Sequence, residues 1–183
     1  MAPASIAAYE AAIMRITITK GQADDGIAGI RDDGSRFATR FPKKGPLPHD
    51  AVHLFVEQEL GLRGAFWGMV AGGYHPEEIA AIAHAAGHAS ASRAQVPQAH
   101  IVELLQAERI VECFEADLWS GGKGDPALLI AVAATACADS FVPLPTFGPA
   151  DVAAVRDQIR GFSARWLPAA PGHGETIEWR EGD

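Results

Sequence analysis

His49, Asp50, His53 and Glu57 form the one stretch of this chain where ionisable residues are spaced as chemistry would space them. A helix advances about 100° per residue, so His49 and His53, four positions apart, fall on one face. Two imidazoles so placed can share one metal ion, and a third ligand with an open fourth position makes a catalytic site. A carboxylate beside them, Asp50 or Glu57, can serve as general base toward a water at the metal. On a helical wheel Val52, Val56 and Leu60 lie within about 60° of His49, so both imidazoles sit in an apolar arc with Asp50 and Glu57 along its edge. Buried polar groups are costly unless satisfied, so this arc needs an explanation. One explanation is a metal or acid–base site bordering the core. The other is structural: Asp50 serves the helix start, His49 stands in solvent, and His53 bonds to Glu57 one turn on.

The run His49-Asp50-Ala51-Val52-His53 resembles the HExxH helix of zinc metallohydrolases, with Asp50 where that family has its general-base Glu. The resemblance covers five residues. It implies His49 and His53 as ligands of zinc or another divalent metal, and Asp50 as the base, one methylene shorter than the family's Glu. A third ligand must then come from elsewhere. Residues 97–119 read as a long helix on which Glu108, Glu112 and Glu115 fall within about 60° of one another. That stripe either looks into a cleft or forms the helix's solvent face. It resembles the gluzincin arrangement, in which a downstream helix supplies a Glu ligand, and on that resemblance Glu112 is the expected third ligand. No organic cofactor is indicated.

Other chemistries find less support. The His49-Asp50 dyad resembles that of HD-type phosphohydrolases, but those need a metal-binding His upstream, and His49 is the first His of the chain. Gly121-Gly-Lys-Gly124 lacks P-loop spacing, no GxSxG elbow occurs, and neither Cys113 nor Cys137 has a His at motif spacing. His84 and His88 repeat the four-residue spacing, but Gly87 between them reads as a helix end, where the helix dipole favours a His without any ligand role. Phe66, Trp67 and Met69 read as core.

The elements that must position these residues are legible as a change of period. Residues 14–20 and 35–41 alternate as half-buried strands, 26–31 is a weaker strand diluted by glycine, and Asp32-Asp33-Gly34-Ser35 supplies a hairpin turn. A Pro/Gly connector over 41–48 then ends strand structure, and Pro48 suits a helix start. Helices are expected from Pro48 to about Leu60, from His75 to near Gly87, over 97–119, over 126–138 and from Gly148 to Trp166, with a short packed helix in the glycine-rich 61–73. The segment Pro126 to Ala138 is apolar almost all round, which predicts a central helix with Ile130 and Val132 in the core. Residues 175–180 alternate again, as a fourth strand would. The expected fold is therefore α+β: a short antiparallel sheet of three strands, or four with the C-terminal one, packed with about five helices. Residues 1–13 read as a flexible extension, with Met14 available as an alternative start, and 14–183 as a single domain.

Composition narrows the function classes. At 183 residues and 48% hydrophobic content the chain can bury a substantial core. Fifteen basic against 23 acidic residues give a net charge of −8, which opposes binding to phosphate backbones. The longest apolar run is about half the ~20 residues of a membrane span. Two cysteines outside any CxxC read as reduced core residues of a cytoplasmic protein. These readings point to a metal-dependent hydrolase acting on a small-molecule or peptide ligand, with neither nucleic acid nor membrane as partner and a homo-oligomer compatible with it. The alternative is a non-catalytic ligand- or protein-binding domain in which the His/Asp/Glu edge is structural.

Overall fold

Alternating apolar and polar residues make a strand of Ile13–Thr19 (β1), whose Met14, Ile16 and Ile18 all point into the core. The computed structural model describes residues 13–93 and 97–180, with side chains for all of these except 86–93. The first twelve residues of the expected extension therefore lie outside the described residues. Asp24–Ile30 (β2) pairs antiparallel with β1, and Arg36–Pro42 (β3) pairs antiparallel with β2. The C-terminal Gly174–Arg180 (β4) returns as the fourth strand, antiparallel to β1, giving the order β3-β2-β1-β4. Trp179 of β4 and Ile27 and Phe37 of the other strands complete the buried face.

The chain between β3 and β4 is helical, as its change of period predicts. His49–Leu60 (α1) is followed by the short Phe66–Ala71 (α2), then Pro76–Arg93 (α3), Val102–Trp119 (α4), Pro126–Asp139 (α5) and Pro149–Trp166 (α6). Among the described residues the fold is α+β, one four-stranded antiparallel sheet with six α-helices. Helix α1 is the hub, touching α2, α4, α6 and β4. Gly61, in the left-handed region at φ 66, ends α1 by donating its N–H to the Glu57 carbonyl. At Gly68 no side chain fits, because a Cβ would stand 1.8 Å from the Arg63 carbonyl oxygen.

Two expectations need correction. Helix α3 runs through Gly87 to Arg93, since a glycine inside a helix weakens it without ending it. Helix α5 is not central: only Leu129, Ala133 and Cys137, one turn apart, are buried, while Ile130 is half-buried, Leu128 is 64% exposed and Val132 49%. A helix apolar on every side gives no period to reveal its buried face, and this one lies against α4 and α6 along a single stripe. Val132→Asp is accordingly expected to change stability by no more than about 0.5 kcal/mol, measured by urea unfolding. A loss of several kcal/mol would mean that this face is covered.

Candidate metal centre

The site begins with α1, whose first turn carries His49 and Asp50, whose second carries His53 and whose third carries Glu57. The N-cap position is Pro48, which offers no capping side chain, and Asp50 is the acidic residue of the first turn, where the helix dipole favours a carboxylate. His49 is not in open solvent, its side chain being 10% exposed, and His53 and Glu57 are buried. The four-residue spacing brings the rings into edge contact, with the two Nε2 atoms 3.1 Å apart.

Each ring is held from behind by a carboxylate. His53 Nδ1 lies 2.9 Å from Glu57 Oε1, and His49 Nδ1 lies 2.9 Å from Glu115 Oε1 on α4. Glu57 uses its other oxygen to accept the Trp67 backbone N–H at 2.7 Å, while the Trp67 indole N–H donates to the Asp50 carbonyl at 2.9 Å. The short α2 thus braces α1 at the site. Glu108 of α4 faces the paired Nε2 atoms, its two oxygens 3.6 Å from His49 Nε2 and 3.7 Å from His53 Nε2.

His49, His53 and Glu108 form a group that can hold a metal ion. Ligand bonds of about 2.0–2.2 Å around a tetrahedral ion put donor atoms roughly 3.3–3.5 Å apart. The two Nε2 atoms are 3.1 Å apart, each has a different Glu108 oxygen within 3.7 Å, and one donor atom from each residue lies within 4.8 Å of the others. The hydrogen bonding supports the same reading. A ring that donates Nδ1–H to a carboxylate keeps a lone pair on Nε2. Two such lone pairs 3.1 Å apart repel unless a cation or a proton lies between them.

The expected third ligand is thereby revised. Glu112 is exposed and pairs with Arg109 at 2.9 Å, while Glu108 and Glu115 face α1. At about 100° per residue, positions seven apart differ by only about 20°, whereas Glu112 is turned about 40° from Glu108 and 60° from Glu115. Glu57 is also reassigned. Both its oxygens are engaged and it is fully buried, so it positions His53 and has no route to a substrate.

Asp50 lines a cleft of about 470 Å³ that also contains His49, His53 and Glu108, walled by Phe41, Phe66, Ala80 and Ala83. Burial raises the Asp50 carboxyl above its usual range against the pull of His53, His49 and Lys44. Of the other sequence features, Phe66 and Trp67 are core as expected, His84 stands at the cleft edge, and the side chain of His88 lies outside the described residues. Cys113 and Cys137 are buried free thiols.

Electrostatics couple the three groups. Burial opposes charge on His53, but Glu108 and Glu57 outweigh it and push the ring up to about 10. Burial likewise opposes charge on Glu108, and His49 and His53 outweigh it, holding that carboxyl far below the usual range. In metal-free protein the protonated His53 therefore stabilises the fold fully below the free value of 6.5, and this contribution is lost as pH rises through about 10. The melting temperature in chelator is expected to fall across that interval. Metal needs the lone pair that the proton occupies, so the stabilisation added by metal should grow over the same interval. Equal melting curves at pH 6.5 and 10, with and without metal, would contradict this.

Comparison with known proteins gives no match to a protein-family model, to a curated protein or to a solved structure. Among the described residues no helix is long and apolar enough to cross a membrane.

Proposed function

We propose that the protein is a metal-dependent hydrolase in which His49, His53 and Glu108 hold one divalent ion, with zinc as the expected metal, and Asp50 is the general base. The observation that carries this reading is the pair of Nε2 atoms turned toward each other and toward Glu108, each ring anchored through Nδ1 by its own carboxylate. Zinc suits two imidazoles and one carboxylate, a set that leaves a fourth position for water or substrate. Bound there, the ion would polarise an acyl or phosphoryl oxygen and make water a better nucleophile at neutral pH. Glu57 and Glu115 fix the tautomer and direction of the two rings. Asp50, on the cleft wall with a raised carboxyl, takes the proton from the attacking water and returns it to the leaving group.

The test begins with tag-free protein dialysed against zinc, which is expected to retain one ion per chain and to hydrolyse an activated ester or phosphoester in a chelator-sensitive way. Asp50→Asn should lower turnover by about a hundredfold or more while keeping the metal. Its stability should change by at most about 1 kcal/mol, the scale of a first-turn carboxylate's interaction with the helix dipole. The raised pKa of His53 favours a second reading, in which a proton joins the rings and the domain binds a ligand without catalysis. Protein that retains no stoichiometric metal would decide for it. Metal without turnover would leave a metal-binding domain and end the hydrolase reading.

A further inference from the structure

Lys44 and Arg109 reach the same cleft from different elements, the connector before α1 and the ligand-bearing helix α4. Each has bonding capacity left over. Lys44 makes no ion pair or hydrogen bond among the described residues, although its charge is felt by Asp50. Arg109 pairs through one terminal nitrogen with Glu112, but its Nε is buried with no hydrogen-bond partner among the described residues. Buried donors are rarely left unmatched, and a charged one is the costliest to leave so. The opposite character is close by, since Phe41 and Phe66 contribute aromatic surface to the same walls. A cleft of about 470 Å³ has room for a metabolite-sized molecule.

We propose that this cleft takes a small molecule carrying an oxyanion beside an apolar group, the oxyanion held by Lys44 and Arg109 and the apolar part by Phe41 and Phe66. A carboxylate or phosphate matches the donors of a guanidinium, and a lysine ammonium adds a point charge. This names the substrate class of the proposed hydrolase and rests on that reading only for the reacting end of the molecule. Asp50 and Glu108 give the cleft negative charge as well, so preference for an anion depends on the two cations. Recognition is then separable from metal binding: the cations select the molecule, and the His/His/Glu group acts on it.

The experiment compares benzoate, phenylphosphonate and neutral benzamide by calorimetry, with and without one equivalent of zinc. In zinc-loaded protein at least one of the two anions is expected to bind about tenfold or more tighter than benzamide. The tighter one tells a carboxylate from a phosphate substrate. Lys44→Gln and Arg109→Gln should each weaken the anions about three- to tenfold, leave benzamide unchanged and keep the zinc stoichiometry. Lys44 is exposed on the connector, so its variant is expected to fold as the wild type does. Equal binding of all three probes, or an anion preference that survives the double substitution, would overturn the proposal, since any anion would then be held by metal alone. Should zinc not bind, an anion preference lost in the double variant would still support this inference while the metal reading fails.

Discussion

His53→Ala is expected to lose stoichiometric zinc, with affinity at least about a hundredfold below wild type, because one of the three proposed ligands is gone. Glu108→Ala should lose the metal as well, whereas Glu112→Ala should keep it, since Glu112 faces solvent and pairs with Arg109. The three variants together separate the geometry of α4 from its sequence pattern. His53→Ala carries a second cost. It leaves Glu57 Oε1 buried without the imidazole it bonds, so stability should fall by about 2–4 kcal/mol, partly relieved if Glu57 takes up a proton. Elemental analysis after dialysis measures the first effect and urea unfolding the second. Zinc bound to His53→Ala at wild-type affinity would remove His53 from the ligand set, and with it the proposed centre.

How much of this was legible in the sequence depended on period. The strands over 14–20 and 35–41 and the return of the tail as a strand follow from alternation, which does not say that the tail pairs with β1, and α1 and its facing histidines follow from four-residue spacing. The sheet order needed only hairpins and one returning strand. A wheel places Glu108, Glu112 and Glu115 in one sector, but only the crossing of α4 over α1 decides which of the three reach the imidazoles. The seven-residue spacing of Glu108 and Glu115 was the available signal, because it holds a face more closely than spacing of four. Nothing in the sequence could show that Glu57 is occupied by the Trp67 N–H, a contact made where α2 folds back on α1. Helix α5 failed as a core prediction for the opposite reason, an excess of apolar residues that erased its phase.

Glu57 offers the other large effect, and it divides fold from metal within one residue. Glu57→Ala removes both acceptors at once. The His53 Nδ1 and Trp67 backbone N–H groups, both buried, would then lack partners, and stability is expected to drop by about 3–5 kcal/mol. Glu57→Gln acts differently. Its single carbonyl can still accept from Trp67, which turns the amide NH2 toward His53 Nδ1. The ring must then accept at Nδ1 and carry its proton on Nε2, the atom that faces His49 and Glu108. A protonated Nε2 cannot ligate, so zinc affinity should fall about 10- to 100-fold while most of the stability is retained. Nitrogen-15 NMR of the imidazoles in metal-free protein would report the change of tautomer directly above about pH 10, where the His53 ring has given up its second proton. If Glu57→Gln binds zinc as tightly as wild type, Glu57 does not set the tautomer of His53, and its burial beneath the site has only a structural role.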